Sequence, residues 1–559
     1  MRTDDSESRK KETRRYRRKV RKGSRKIIKN RPLSRKVLTY VLFGRFLIIL
    51  VLMVLQVSLL LVLDRVLDSY FQYFVGGQTL LSVCFIIYLV NIDSKPEFKL
   101  VWMIPVILAP VFGILLYLFF KLNVGGIGLK KRLSRTSEKM KKFLRTEPEV
   151  TDALYHNPQV KDIACYLQTA GGFPAYMDSG SVYFPSGEDC FDDMKKELET
   201  AEKFIFIEYF IIGLGYMWNT ILDILVRKAA AGVEVRVMYD GIGSMMLVPY
   251  GYPEYLQTLG IKAKTYAPLV PVLSTHQNNR DHRKIMVIDG RVAYTGGINL
   301  EDEYINRKKR FGYWKDTAIK IQGTAVRSFT AMFLQIWNLN EKGNDRWPLY
   351  LAASDERLSE KPPAAASGGS ERFPFCRGGF IIPYGDDALN GEDIAEAVYC
   401  DILNRARWYV HITTPYLILD NELESALIFA AKRGVEVSIL VPARADHYIT
   451  FCIGRTFIER LIQHGVHILE YLPGFIHAKM FVSDGERAVV GSINLDYRSL
   501  YHHFECAAYI YGNPVVREVE RDFKLTKADC REFTKELYGM IPFHQRVIGH
   551  VAQMFAPLL

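Results

Sequence analysis

Cysteine is sparse and unpatterned in this 559-residue chain: eight residues, at positions 84, 165, 190, 376, 400, 452, 506 and 530, without any C-x-x-C spacing. Neither a disulfide framework nor a thiolate zinc site is expected from such scatter, and the cysteines read as buried apolar fillers. Histidine is equally thin, with twelve residues and no cluster at metal-ligand spacing, so no metal and no other cofactor is expected. Charge is also missing from most of the chain. Residues 1–37 hold seventeen Lys/Arg against four Asp/Glu while the whole protein carries only +12, which leaves the remainder close to neutral. A nucleic-acid-binding body needs basic charge spread over a folded face, and no nucleic-acid partner is expected here.

Apolar sequence, by contrast, is concentrated near the start. Runs over Phe46–Leu63, Tyr70–Ile92 and Leu100–Phe120 each reach the length of a bilayer span. The first is too long and too far from the terminus for a cleaved signal peptide. These runs predict a multi-pass anchor in the cell membrane over residues 38–122, with two or three hydrophobic segments. Residues 1–37 read as a solvated cytoplasmic tail obeying the positive-inside rule, with direct contact to anionic lipid head groups as the other reading. A second basic group, Lys130, Lys131, Arg132, Lys139, Lys141 and Lys142, marks residues 123–172 as a basic connector. Three full spans would put the two basic clusters on opposite sides of the membrane. The third run is interrupted by Pro105, Pro110 and Gly113, so it is expected to kink or re-enter rather than cross.

From about Phe173 the pattern changes to short strand-like runs alternating with amphipathic stretches, which predicts an α/β layer structure. Phe204–Phe210 reads as a buried strand, Ile221–Ala231 as a helix ended by Gly232, and Val233–Met238 as the next strand. The same order returns at Trp408–Ile412, Leu423–Arg433, Gly434 and Val435–Leu440. The chain therefore contains an internal duplication. Two lobes are expected, at 173–353 and 373–559, joined by an exposed linker at 354–372 that is poor in apolar residues and rich in breakers.

The duplication carries a repeated motif. His282-Arg-Lys-Ile-Met-Val-Ile-Asp289 and His477-Ala-Lys-Met-Phe-Val-Ser-Asp484 both have the form H-x-K-x-x-x-x-D, and each is followed by a Gly-small-Ile-Asn element, Gly296–Asn299 and Gly491–Asn494. Alternation along a strand points His and Lys to one face, so imidazole and ammonium share a pocket. The Gly-rich turn opens backbone to a phosphate oxygen, with the Asn amide beside it. Asp289 and Asp484, five residues beyond their lysines, fall on the opposite face and are expected to fix the local turn. One copy of this motif could arise by chance on a half-buried strand. Two copies with the same surroundings point to phosphodiester chemistry.

At these residues the chain resembles the phospholipase D superfamily, and more closely the bacterial cardiolipin synthases. Further stretches carry the likeness: Pro105–Tyr117, Tyr239–Ser244, Thr414-Pro-Tyr416, Pro473–His477 and Asn494–Ser499. The resemblance implies two tandem phospholipase D-like α/β/α sandwich lobes related by a pseudo-two-fold. It also implies a catalytic set of His282, Lys284, Asp289, His477, Lys479 and Asp484. One histidine attacks phosphorus and the other serves as acid and base, with His282 taken as nucleophile and His477 as acid/base. Lys284, Lys479, Asn299 and Asn494 are expected to hold the phosphate. Gly297 departs from its counterpart Ser492, so a hydroxyl contact to phosphate is expected on one side only. Glu505 is a candidate for orienting His477, and Asp316 for the equivalent part in the first half, while ordinary strand-end charges are the plain alternative. His276, His447, His502 and His503 read as surface or supporting residues.

The anchor and the resemblance together imply phosphatidylglycerol as donor and acceptor, and cardiolipin and glycerol as products. Hydrolysis to phosphatidic acid, a phosphatidylethanolamine partner, and a silent lipid-binding scaffold are the alternatives. Action on DNA is disfavoured by the near-neutral body.

Overall fold

The computed structural model describes residues 54, 58, 71–121, 124–268, 279–339, 347–352 and 372–558. The basic arm, the first hydrophobic run apart from two positions, His276 and almost all of the expected linker lie outside the described residues.

The second hydrophobic run forms helix α1 (Phe71–Asn91). Among the described residues it is the one helix long and apolar enough to cross a bilayer. The third run breaks where its prolines and glycine predict, into α2 (Pro96–Leu108) and α3 (Pro110–Lys121). Ala109 leaves the helical region at φ −148°, ψ 82°, and the chain folds back on itself. Trp102 meets Tyr117 and Phe120 at ring distances of 5.4 Å. The return is close enough that a Cβ on Gly113 would stand 2.4 Å from the Pro105 carbonyl. At 1.5 Å per residue, α2 and α3 reach about 20 and about 18 Å, short of a hydrocarbon core of about 30 Å. The third run is therefore a helical hairpin and not a simple span, as its two prolines and Gly113 predict.

Two eight-stranded sheets follow. The strands of the first are β1 (Gly180–Phe184), β2 (Phe204–Tyr209), β3 (Glu234–Asp240), β4 (Lys262–Tyr266), β5 (Lys284–Ile288), β6 (Val292–Gly296), β8 (Ala318–Gln322) and β9 (Cys376–Arg377); β7 (Tyr313–Lys315) stands apart. The second holds β10 (Phe380–Asp387), β11 (Tyr409–Thr413), β12 (Glu436–Pro442), β13 (His467–Tyr471), β15 (Met480–Ser483), β16 (Arg487–Gly491), β17 (Phe504–Tyr511) and β18 (Cys530–Glu532), and β14 (Gly474–Ile476) pairs with β7. The order 4-3-2-5-6-8-1 of one sheet matches the order 13-12-11-15-16-17-10 of the other. Strands β2, β5, β6 and β15 are buried on both faces, as their near-continuous apolar sequence requires. Gly232 and Gly434 end equivalent helices in the left-handed region, at φ 93° and 90°.

The lobes are fused. The helix Val326–Trp337 of the first half is almost wholly buried, and one hydrophobic core joins its Phe329 and Phe333 to Ile381, Ile412 and Phe481 of the second. Strand β9 crosses the expected boundary at 373 and pairs with β1. Nor is the connector merely basic. It forms the helices Val124–Phe143, Pro148–Tyr155 and Pro158–Tyr166, and Leu133, Met140, Leu144 and Leu154 are buried in the same core. Of the cysteines, 190, 376, 452 and 506 are buried, whereas Cys84 and Cys165 are exposed and fill nothing.

The hairpin is locked to the second lobe at its base. Lys95 pairs with Glu396, lies 3.6–3.9 Å from Asp393, Asp420 and Glu422, and donates to the Tyr501 hydroxyl at 2.8 Å. Phe98 sets its ring edge-on to Tyr497, Tyr501 and His502.

Candidate active site

Each motif histidine enters a strand of its own lobe but is held by the other lobe. The backbone N–H of His282 donates to the carbonyl of Phe504 at 2.9 Å, and the N–H of Phe504 donates to the carbonyl of Arg280 at 2.8 Å. On the other side the N–H of His477 donates to the carbonyl of Lys315 at 2.7 Å, continuing the parallel pairing of β14 with β7.

The rings cross over in the same way. His282 Nδ1 lies 2.7 Å from Glu505 Oε1, and His477 Nδ1 lies 2.7 Å from Asp316 Oδ2. Sequence proximity had placed Glu505 with His477 and Asp316 with the first half. The correction has a simple cause: each carboxylate-bearing strand reaches across the lobe junction. With Nδ1 engaged by a carboxylate, each imidazole keeps Nε2 for other chemistry.

Lys284 and Lys479 lie two residues beyond the histidines and curl back onto them. Lys284 Nζ donates to the His282 carbonyl at 2.6 Å; Lys479 Nζ bonds the His477 carbonyl and lies 2.8 Å from its Nδ1. Burial weakens the charged form of all four groups. It pushes His282 well below the ordinary imidazole range, helped by Lys284 and Lys479, and brings His477 down to about 4, helped by Lys479. Lys284 falls to about 8 and Lys479 to about 7, again chiefly through burial. Burial pushes Asp316 upward, but the positive charge of His477 and Lys479 outweighs it and holds the carboxyl below its usual value. His282 feels the charge of Lys479 and His477, and His477 that of Lys284, so both motifs share one electrostatic pocket.

The remaining predicted residues divide into those at the pocket and those beneath it. Asp289 and Asp484 sit in the left-handed region, φ 52° and 55°, at the turns after β5 and β15. Asp289 accepts from the backbone N–H groups of Glu202, Lys203 and Phe204 at 2.7–2.8 Å, and Asp484 from those of Arg407, Trp408 and Tyr409 at 2.8–3.0 Å. Their grouping with the catalytic residues is corrected: both carboxylates tie a hairpin turn to the start of the neighbouring strand.

Ser492 is corrected as well. Its hydroxyl donates to Glu505 Oε2 and accepts from the N–H of Cys506 at 3.1 Å, so it steadies the carboxylate behind His282. At Gly297 a Cβ would stand 2.0 Å from Asp316 Oδ1, so the missing side chain is what lets Asp316 reach His477. Asn299 is committed on both amide atoms, accepting from Ile211 N–H at 3.1 Å and donating to Tyr304 Oη at 2.7 Å. Asn494 keeps a buried Oδ1 without a partner.

Sequence reasoning missed three of the four rings that wall the pocket and named the fourth, His503, only as a surface or supporting residue. Phe210 and Tyr304 stand edge-on to His282 and His477 at 4.9 and 5.5 Å. His503 packs on His282 at 5.4 Å and Trp314 on His477 at 5.2 Å, with interplanar angles of 44° and 40°. For two of the four the signal was present: His503 and Trp314 each lie two residues before the orienting carboxylate and hence on the same strand face. His503 is buried, with neither ring nitrogen hydrogen-bonded. With His282 and Glu505 it makes a group of two imidazoles and one carboxylate whose ligand atoms lie within 4.8 Å of one another. Glu396, Asp420 and Glu422 form a second such group, already occupied by the Lys95 ammonium. His447 is exposed on the surface, and His502 bonds the Pro557 carbonyl at 2.8 Å.

Two histidines with fixed Nδ1, two buried lysines and a crossed pair of carboxylates fit a phosphodiester bound at the lobe junction. Comparison with known proteins agrees. The family described as "Cardiolipin synthase, PLD-like domain" matches residues 194–337 and 399–526, and the family described as "Phospholipase_D-nuclease N-terminal" matches residues 80–121. A cardiolipin synthase of Geobacillus kaustophilus is 32% identical over 86% of this chain and 92% of its own length. One from Geobacillus thermodenitrificans is 31% identical over 90% of this chain and 99% of its own. A Streptococcus mutans protein of uncharacterised function is 43% identical over 85% and 99%. Among solved structures, the phosphatidylserine synthase of Haemophilus influenzae shares the fold, with a TM-score of 0.52 at 16% identity over 71% of this chain and 97% of that one. The chain is a phosphatidyltransferase and belongs to the cardiolipin synthase family of the phospholipase D superfamily.

Proposed function

We propose that the protein is membrane-bound and joins two phosphatidylglycerol molecules into cardiolipin, releasing glycerol, through a phosphohistidine intermediate. The observation that carries this reading is the crossed site: each histidine has its Nδ1 engaged by a carboxylate of the other lobe and its Nε2 left for the substrate.

In the first step His282 Nε2 attacks phosphorus, the bond to the departing glycerol oxygen breaks, and His477 gives that oxygen its proton. In the second step His477 takes the proton from a hydroxyl of the second phosphatidylglycerol. That oxygen attacks phosphorus, and the P–N bond to His282 breaks. Burial and the two lysines favour a neutral His282, as a nucleophile requires. The acid needs a proton, and a bound phosphodiester supplies the negative charge that lifts His477 from about 4. Lys284 and Lys479 balance the charge on the phosphoryl oxygens, while the unpartnered Asn494 Oδ1, an acceptor, takes a hydrogen bond from a hydroxyl of the lipid head group.

Membrane attachment is supported by α1, by the α2–α3 hairpin with its exposed Leu100, Ile107 and Leu108, and by the base at Lys95 that holds the hairpin to the catalytic body. A re-entrant hairpin returns to the side it left, which removes the conflict between the two basic clusters.

Purified protein given labelled phosphatidylglycerol is expected to yield cardiolipin and free glycerol. Phosphatidic acid as the only product would replace the synthase reading with hydrolysis.

A further inference from the structure

The C-terminal helix Phe543–Gln553 takes no part in the site. Its inner face lies on the helix Tyr448–Gln463, at a spacing so close that a Cβ on Gly549 would stand 2.5 Å from the Cys452 carbonyl. Its outer face is apolar. Phe543, Val547, Val551 and Met554 recur every three or four residues and lie outward, and Phe555 and Leu558 extend the stripe. Phe543 is 74% exposed and Val551 55%, far more than an apolar face keeps in water without a partner.

Position decides what covers it. Directly after this helix the chain passes through Ala556–Leu558, where Ala556 and Pro557 are buried. The Pro557 carbonyl accepts from His502, whose ring meets Phe98 in the first turn of α2 at 5.6 Å. The stripe thus ends at the base of the hydrophobic hairpin, and the two apolar surfaces adjoin. His544 and His550 lie exposed beside the stripe, and the connector that continues from the hairpin exposes Lys131, Lys139 and Lys142. Basic groups on segments that flank a bilayer contact suit anionic head groups.

We propose that the helix Phe543–Gln553 lies in the membrane–water interface, its outer face set into an anionic bilayer beside the α2–α3 hairpin. The proposal rests on reading that hairpin as bilayer-inserted. A body tied to the membrane at the hairpin alone would pivot about Lys95; a second contact fixes its tilt over the lipid surface.

Two experiments on the full-length protein test this. In vesicles of phosphatidylglycerol and phosphatidylcholine carrying a diazirine-tailed phosphatidylglycerol, photolabelled peptides are expected from both 96–121 and 540–558. Labels confined to 96–121 would overturn the proposal and leave the hairpin reading standing. Labels on 540–558 without 96–121 would support the helix and overturn the hairpin reading. The double variant Val547→Asp/Val551→Asp is expected to lower kcat/KM on vesicle phosphatidylglycerol about five-fold or more, with the rate on monomeric short-chain phosphatidylglycerol nearly unchanged. An equal fall on both substrates, or no fall on vesicles, would overturn it. A lower oligomeric state of the variant by light scattering would assign the face to a second copy instead.

Discussion

The two half-sites share their His, Lys and Asp motif residues but differ in the groups that surround each histidine. Around His282 stand Glu505, Ser492 and His503; around His477 stand Asp316, Gly297 and Trp314. The longer carboxylate is steadied by a serine hydroxyl, the shorter one by the N–H of Thr317 at 2.8 Å and by space left at a glycine. Between the motif residues, Arg283 is buried against Glu208 and Asp281, whereas Ala478 carries no charge at all. Chemistry fixed the histidines and lysines; packing let the rest diverge. An asymmetric reaction needs an asymmetric site, and these differences are where the nucleophile and the acid become distinguishable.

The largest effect separates the two histidines. Either His→Ala change is expected to lower turnover at least about 10⁴-fold, because the two act as one unit. Their intermediates differ. With phosphorus-labelled phosphatidylglycerol, His477→Ala is expected to retain label on His282, and His282→Ala to retain none. Label on His477 in the second variant would exchange the roles.

An intermediate effect separates the supporting shells. Gly297→Ala forces Asp316 off His477 and is expected to cost about 10²-fold in kcat with KM little changed. Ser492→Ala removes one hydrogen bond from a carboxylate that keeps His282, and is expected to cost less than about 10-fold. Equal costs would mean that the two shells are equivalent after all.

The smallest effect lies in pH dependence. Loss of the His477 proton already lowers kcat/KM above about 4. Each lysine holds phosphate in its protonated form, so the fall is expected to steepen as pH rises through about 7, where Lys479 loses its proton, and again beyond about 8, where Lys284 follows. Arginine stays charged throughout this range. The residual activity of Lys479→Arg is therefore expected to break near 8, and that of Lys284→Arg near 7. A wild-type profile flat to pH 9 would sink this account.

Local pattern made much of the molecule legible. The strands at 204–209 and 409–413, the helices after them and the glycines that end those helices all follow from periodicity and left-handed caps. The break in the third hydrophobic run was written in Pro105, Pro110 and Gly113. The turn role of Asp289 and Asp484 followed from odd spacing along a strand. Legibility stopped at the junction between lobes. That Glu505 serves His282, 223 residues away, depends on how two finished sheets meet, and no local spacing encodes it. The connector misled because its charges are conspicuous in sequence, while its buried Leu133, Met140 and Leu144 recur at intervals of a helix face.

The crossing of the carboxylates ties the fates of the duplicated halves. A change that damages the first lobe's Asp316 disarms the second lobe's histidine, and one that damages Glu505 disarms the first. Neither copy can decay into a passive support while the other carries the reaction, as duplicated domains often do. The arrangement acts as a ratchet on drift: each half is kept intact because the other depends on it, and separately expressed halves would regain both active histidines together or not at all.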